Sequence, residues 1–488
     1  MTRRWLPFAP AVALAFAGCA AGPDYQRPQV DVPVSWTLEA PWHAGTPADA
    51  LDKGPWWEAF GDAQLDALER QALVASPTLA AAAARLAQAR ATASAANAGL
   101  FPQIALGTRD QRLRISKDRP LTNYGVPNST TVQNDFVLGP TASYEVDLAG
   151  RVSRSIEGTR ASADQAAADA ANTQLVLTAE LASDWFSLCT LDVSLAVLDR
   201  SIALQRHALE LVQARHDLGA GSGVDVAQQQ ALLDNTLTQV DVQHRQRQQF
   251  EHAIAALVGA PAPSFHLPPT PRNLRPPPIP VGVPSDLLQR RPDVASAERA
   301  MAAANAQIGV ARAAFYPSVF LGANIGDESN HLSTLFDAPS LLWSLGVTAT
   351  QTLFDGGRIR ANIDVAQAGY ALSVANYRRA VLGAMQEVED GITGVASTDR
   401  ATTQAEVAAQ SARRLYDLAE ARFEGGASAY LDVITAEQGL LNADLQAAQL
   451  AGQRQLAAVF LVKALGGGWQ MAQTTPVAST AASAPAAR

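Results

Sequence analysis

The chain has 488 residues, 48% of them hydrophobic and 6% aromatic, and carries a formal charge of -9. No basic cluster is present, which argues against nucleic acid as a partner. Two cysteines give no basis for an intrachain disulfide framework, and abundant alanine favours long, closely packed helices.

The N-terminus reads as a targeting segment. Arg3 and Arg4 precede an apolar run from Leu6 to Ala17, too short to span a bilayer as a helix. The run ends in Phe16-Ala17-Gly18-Cys19, which resembles a bacterial lipobox, with Phe16 where Leu is usual. Residues 1–18 are then a leader, and Cys19 is the lipidated mature N-terminus. The alternative is an ordinary signal peptide with a chance cysteine. Ala20 follows the cysteine rather than Asp, so sorting rules direct the anchor to the outer membrane. The other cysteine, Cys189, sits in a helical pattern and reads as a small buried hydrophobe.

The chain is a duplication. Ser76-Pro77 and Arg291-Pro292 open Ala-rich helical patterns that end at Pro102 and Pro317, an offset of 215. Gly150-Arg151 matches Gly357-Arg358 at 207, as does Arg215…Gly219…Ser222…Asp225-Val226 with Arg422…Gly426…Ala429…Asp432-Val433. The change of offset places a length difference in the loop 115–135. Each half reads as helix, strand, strand, long helix, tight turn, helix. Residues 62–260 form the first repeat and 285–468 the second, after an N-terminal segment at 19–61. The linker 261–284 holds ten prolines and reads as an extended connector.

Four segments alternate apolar and small polar residues with period two. They lie at about 101–115, 132–148, 316–326 and 341–354; in the last, Trp343, Leu345, Val347, Ala349 and Leu353 alternate with Ser344, Gly346, Thr348 and Thr352. This is a transmembrane β-barrel pattern. No later segment offers the roughly 20 consecutive apolar residues of a membrane helix. Four strands cannot close a barrel and leave two edges open in lipid. Three copies would give twelve strands and a closed wall. A soluble sheet with one buried face is the competing reading of any single strand.

The segments 150–216 and 357–423 lack proline and predict helices of about 100 Å each. Leu181, Leu188, Leu195, Ile202 and Leu209 recur every seven residues, with Leu191, Leu198 and Val212 three places after members of that series. That is a left-handed coiled-coil seam. In the second half Val381, Met385, Val388, Ile392 and Val395 continue it more thinly. Shorter helices at 62–99, 224–258, 292–314 and 429–465 are expected to pair along the long ones. The fold class is therefore mainly α with membrane β: duplicated halves, a trimeric 12-stranded β-barrel, and a long α-helical barrel continuing it.

Gly22-Pro23-Asp24-Tyr25, Trp56-Trp57…Phe60…Asp62, Asp286-Leu287-Leu288…Arg290-Arg291-Pro292-Asp293 and Phe354-Asp355-Gly356-Gly357-Arg358 resemble hallmarks of NodT-type outer-membrane efflux lipoproteins, relatives of TolC and OprM. Order and spacing hold from about residue 18 to 468. Ser76-Pro77 stands where Asn-Pro is usual, and Ala149 where an aromatic is common. The resemblance implies a homotrimer in outer-membrane lipid with a periplasmic helical tunnel. The linker and chain ends would form a belt around its middle. A periplasmic adaptor protein would bind the tip and connect it to an inner-membrane resistance-nodulation-division pump. The tail 469–488 is Ala/Ser/Pro-rich and expected to be disordered.

No catalytic constellation, cofactor motif or metal-ligand spacing is evident, so no enzyme activity is expected. Gly219-Ala220-Gly221-Ser222-Gly223 lacks the Lys-Ser/Thr of a phosphate loop. It reads as a turn between helices, as does Gly425-Gly426-Ala427-Ser428. By resemblance, Gly219, Gly221, Ser222, Gly425, Gly426 and Ser428 contact the adaptor. Asp225 and Asp432 fall in the first turn of a helix, where dipole stabilisation is the plain role. Resemblance to TolC-like channels gives Asp432 a sharper one, as part of a constricting aspartate ring. A second family aspartate would fall at Thr435, and Phe423 stands where a gating aromatic is found. Efflux of drugs or other small solutes is the first functional reading. The alternatives are the exit duct of a type I protein secretion system and a periplasmic scaffold without a pore.

Overall fold

The computed structural model describes residues 21–26, 55–118, 130–272, 275–277, 279 and 291–467. The leader, Cys19, the hallmark residues 286–290, most of the linker beyond 272 and the tail lie outside the described residues. The chain packs as two compact units. In chain order the elements are α1 (Ala63–Ala75), α2 (Pro77–Asn97), β1 (Gln103–Ile115), β2 (Thr131–Val146), α3 (Arg151–Asp217) and α4 (Gly223–Leu257), then α5 (Pro292–Ala313), β3 (Ser318–Ser329), β4 (Leu341–Thr350), α6 (Arg358–Glu424) and α7 (Tyr430–Ala464).

The first unit contains a four-stranded antiparallel sheet in the order β1-β2-β3-β4, so β1 and β4 are its edges. Its register aligns the alternation across strands. Ile325 faces Trp343, Ala323 faces Leu345, Leu321 faces Val347 and Val319 faces Ala349. Tyr144 and Val146 continue this face opposite Leu321 and Val319, and Ile104 joins it opposite Ala142. Ile104, Leu106, Ile325, Trp343, Leu345 and Val347 are all strongly exposed, as an apolar face without a protein partner must be. The opposite face carries Thr141, Ser143, Gly322, Asn324, Ser344, Gly346 and Thr348. There Asp135 accepts hydrogen bonds from Arg109 (2.7 Å) and Gln111 (2.8 Å).

Two boundary expectations need correction. The last strand ends at Thr350, not near 354, because its partner β3 begins at Ser318, opposite Thr350; beyond it the Gln351 side chain donates to the Phe315 carbonyl (3.0 Å). The length difference between halves is not confined to the loop: β2 has 16 residues against 10 in β4. Each strand-to-helix junction uses an aspartate as a cap. Asp147 accepts from the Val152 and Ser153 amides, and Asp355 from those of Gly357 and Ile359. The Gly22-Pro23-Asp24-Tyr25 motif also finds its role here. Asp24 pairs with Arg154 (2.6 Å), the Pro23 carbonyl accepts from Asn305 (2.9 Å), and the Ala21 amide donates to the Ala149 carbonyl (2.9 Å).

The second unit holds the main core. Trp56, Trp57 and Phe60, in a single 3-10 turn, pack with Leu65 and Leu68 of α1, Leu181, Trp185 and Phe186 of α3, Ile254 of α4 and Val459 of α7. Asp62 caps α1 through the Gln64 amide (2.9 Å) and also accepts from the Trp185 indole (3.0 Å). The expected helix 62–99 is two helices. Ser76 is extended (φ -66, ψ 122) because the Pro77 ring disfavours the helical conformation before it. Both long helices reach 67 residues. Leu181, Leu188, Leu195, Leu198, Ile202 and Val212 are buried, and so are Val381, Val388 and Ile392. α3 holds one 18-residue stretch of high mean hydropathy, interrupted by polar residues rather than consecutively apolar, and that stretch is mostly buried, as in a core helix. Cys189 is buried and free; burial, with Asp62 and Asp192 nearby, pushes its thiol up to about 12.

Two ion-pair knots hold irregular chain to this core. Arg247 bonds Asp192 (2.5 Å), Glu251 (3.0 Å) and the Leu267 carbonyl (2.8 Å), and the Thr270 amide donates to Asp192 (2.9 Å). The first part of the linker is thereby fixed to α3 and α4. Arg291 bonds Asp293 (2.6 Å), Glu387 (2.7 Å) and the Ala464 carbonyl (3.0 Å), which accounts for the Arg291-Pro292-Asp293 motif.

Candidate gate at the tips of two helical hairpins

Within the second unit, α3 turns back into α4 and α6 into α7. The two turns share one hydrogen-bond scheme. The Gly219 amide donates to His216 and the Ala220 amide to Arg215; the Gly426 amide donates to Phe423 and the Ala427 amide to Arg422. Each pair satisfies the last carbonyls of a long helix. Gly219 (φ 72) and Gly426 (φ 69) supply the left-handed conformation that the scheme needs. Of the six residues assigned to the tip, Gly219, Gly221, Ser222, Gly425 and Gly426 are open or half-open to solvent; the Ser428 hydroxyl is buried without a partner.

The turns differ at the start of the returning helix. Ser222 caps α4 by accepting from the Val224 amide (3.1 Å), whereas Ala429 gives α7 no side-chain cap. The start of α7 is held by packing instead. Tyr430 is buried, with its ring 5.0 Å from that of Phe423, and the Arg215 guanidinium lies 4.5 Å above Phe423. Around them gather Val212, Tyr416, Ala419, Val433, Ile434, Ala436 and Leu440.

Asp432 and Thr435 are exposed and three residues apart on α7, so they share its open face with Leu431. Asp225 occupies the equivalent position in α4 but is half-buried, near Tyr430. The four residues expected at a gate thus fall in different surroundings. Asp432 and Thr435 are exposed, Phe423 packs against Tyr430, and Asp225 is half-buried near enough to Tyr430 to act on its hydroxyl.

Sequence reading missed a polar cluster in the seam behind Asp432. Gln229 of α4 is fully buried; its amide nitrogen donates to the Gln205 carbonyl of α3 (3.2 Å) and lies 3.5 Å from Glu437 of α7. Its amide oxygen accepts from the Tyr430 hydroxyl (2.9 Å). The Gln205 carbonyl can only accept, which fixes the amide orientation. Glu437 is 2% exposed, and burial pushes its carboxyl up to about 7, with Glu420 adding to the rise and Gln229 opposing it. Burial also raises the Tyr430 and Tyr416 hydroxyls. The signal was present in the sequence. Gln205 interrupts the series Leu191, Leu198, Val212 at a position where the heptad calls for an apolar residue.

The chain matches the family described as outer membrane efflux protein over residues 68–260 and 283–467. It is 32% identical over 461 residues to the pyoverdine export outer membrane protein OpmQ of Pseudomonas aeruginosa, covering 94% of this chain and 96% of OpmQ. It is 29% identical over 480 residues to the cation efflux system protein CusC of Escherichia coli, covering 95% and 98%. Among solved structures, the outer-membrane channel OprN superposes with a TM-score of 0.85 at 27% identity, covering 93% of this chain and all of OprN. The solved channels of this type are trimers with a helical barrel and membrane strands, and this chain has their fold. The protein belongs to the outer membrane efflux protein family and is an outer-membrane channel component of an efflux pump.

Proposed function

We propose that three copies conduct small solutes passively from the periplasm to the exterior, and that the duct closes at the two helical turns. The observation that carries this is the pairing of an open-edged sheet with a free acidic helix face. β1 and β4 leave unpaired edges beside a strongly apolar face, and such edges are not tolerated in lipid. Closure by like copies, four strands from each, removes every edge. Threefold symmetry then brings three copies of α7 together, and Asp432 is the ionisable group on its exposed face nearest the turn. Such a ring favours cations and responds to pH and divalent ions. Thr435, one turn later, makes this constriction less charged than one with two aspartates.

The turns at Gly219–Ser222 and Gly425–Ser428 meet a periplasmic adaptor, which couples the duct to a resistance-nodulation-division pump. Cargo consists of drugs or other small solutes. Relatives similar to this chain over almost their whole length are named for pyoverdine export and for cation efflux. That spread fits a duct that passes what the pump selects. Lipidation at Cys19 suits the position of the next residues along the chain, since Ala21 is tied to Ala149 between β2 and α3. Single-channel recording tests the gate. Asp432→Ala is expected to raise conductance and weaken cation preference, and unchanged values would refute the ring.

A further inference from the structure

The segment Gly22-Pro23-Asp24-Tyr25 runs down α5 from its last turns. A Cβ on Gly22 would lie 2.6 Å from the Gly309 Cα, the Pro23 carbonyl accepts from Asn305 (2.9 Å), and the Tyr25 hydroxyl donates to Glu298 (3.3 Å). Followed backwards, the chain therefore heads for the end of α5 that leads into β3. There Ala21 and Gly22 border a cavity of about 630 Å³. Arg312 in the last turn of α5, Phe315 and Tyr316 just beyond it, and Arg360 and Asp364 near the start of α6 line the rest. We infer that this cavity binds the headgroup of an ethanolamine phospholipid, its phosphate held by Arg312 and Arg360 and its ammonium by Asp364. The inference rests on the reading of the exposed sheet face as lipid-facing.

The duplication supplies an internal comparison. At the offsets that relate the halves, Arg312, Arg360 and Asp364 correspond to Asn97, Ser153 and Glu157. Those three are engaged within the chain. Asn97 accepts from Arg160 (2.8 Å), Ser153 donates to the capping Asp147 (2.6 Å), and Glu157 pairs with Arg154 (2.7 Å). The second half has Ala361 in place of Arg154, and the side chains of Arg312, Arg360 and Asp364 form no hydrogen bond or ion pair among the described residues. Arg312 suits the C-terminal end of α5, but Arg360 stands at the N-terminal end of α6, where the helix dipole disfavours a cation. A bound anion reverses that penalty. One repeat thus satisfies these positions internally, and the other leaves three charges free around a cavity.

The cavity lies at the level of the membrane surface. Tyr316 is followed almost at once by β3, which begins at Ser318. Phe315 and Tyr316 are exposed, as are Phe101, Leu353 and Phe354 at the ends of the edge strands. Aromatic side chains at strand ends mark the headgroup layer of membrane barrels. Cys19 is two residues from Ala21, a reach of at most about 7 Å, so an acyl anchor there enters the same layer. Guanidinium groups match phosphate oxygens in charge and geometry. A carboxylate beside them is out of place for a purely anionic ligand and suits the ammonium of a zwitterionic one. Because the helices lie in the periplasm, the leaflet at this end of the strands is the phospholipid one.

The test is native mass spectrometry of the detergent-extracted full-length trimer, titrated with palmitoyl-oleoyl phosphatidylethanolamine or, separately, phosphatidylglycerol, after sizing to confirm assembly. Wild type should retain up to one lipid per copy and prefer the ethanolamine lipid. Arg312→Gln with Arg360→Gln removes two charge-assisted contacts and should weaken retention of both lipids by at least about tenfold. Asp364→Asn should lose the preference for ethanolamine while keeping the glycerol lipid. Arg85→Gln with Arg90→Gln, which removes two exposed arginines of α2 outside the cavity, should behave as wild type. Unchanged retention in the Arg312/Arg360 variant, or an equal loss in the Arg85/Arg90 variant, would overturn the site. An unchanged preference in Asp364→Asn would overturn the ammonium contact. A chain that stays in solution as a monomer without detergent would refute the lipid-facing reading itself, whereas a detergent-dependent trimer that holds lipid regardless of Arg312 and Arg360 would refute the cavity alone.

Discussion

The two hairpin turns descend from one duplicated segment, yet they are secured differently. Both close with the same glycine-dependent scheme, Gly219 matching Gly426. After that they diverge. The first turn relies on a local hydroxyl cap at Ser222 and leaves Leu218 and Val224 exposed. The second has no cap at Ala429 and instead buries Tyr430 beneath Phe423 and against Gln229. Local capping makes a turn that is stable whatever its neighbours do. Stabilisation by packing ties the start of α7, and so Asp432, to the state of the adjacent hairpin. The duplication thus yields one self-sufficient turn and one dependent turn, and the dependent one carries the exposed aspartate.

Substitutions can break this comparison. The largest effect is expected from Tyr430→Ala, which removes a buried ring and leaves Gln229 short of a donor. By analogy with other aromatic truncations it should cost about 3–5 kcal/mol. Hydrogen exchange should show loss of protection in the first turns of α7. Val224→Ala, beside the equivalent position in the first turn, should stay within about 0.5 kcal/mol; similar losses at both sites would show that the turns are alike after all.

Next come the glycines. Gly219→Ala and Gly426→Ala each force a side chain into the left-handed region, at about 1–2 kcal/mol. The two costs should match, because the turn geometry is shared. Thermal melting of the trimer would reveal a mismatch, and with it a hidden constraint at one turn.

Smaller still is Ser222→Ala, expected to cost about 1 kcal/mol through loss of the cap. The converse change, Ala429→Ser, should gain a few tenths to about 1 kcal/mol if the dependent turn lacks nothing but the cap. Faster exchange at Val224 in the first variant and slower exchange at Leu431 in the second are the readouts. Arg215→Gln, which removes the cation above Phe423, should cost about 0.5–1 kcal/mol in the melting of the trimer.

Much of this architecture was legible in the sequence because it is periodic. Alternation over ten or so residues marked the strands, and the seven-residue spacing of Leu181, Leu188 and Leu195 marked the seam. The constant offset between halves also marked where both turns lie. Other features arise from contacts between distant residues, which periodicity does not report. The capping of α1 by Asp62 with Trp185 as a second donor is one, and the Arg291 knot to Glu387 and Ala464 is another. Gln229 falls between these cases. Gln205 interrupts a heptad in plain view, but the Gln229 side chain that meets its main-chain carbonyl, and the Tyr430 and Glu437 partners of Gln229, become apparent only when the helices are packed together. Strand ends were less legible, since β4 stops at Thr350 where its partner strand starts at Ser318, a residue 32 positions away.

The central claim is that identical chains close a gated pore in the outer membrane. It is tested most directly by planar-bilayer conductance of the detergent-extracted protein, run beside a sizing measurement. The account predicts trimers with small, mostly closed, cation-preferring conductance that rises in Asp432→Ala. A monomer, or a trimer with no pore activity even after the tip is destabilised by Tyr430→Ala, would contradict it.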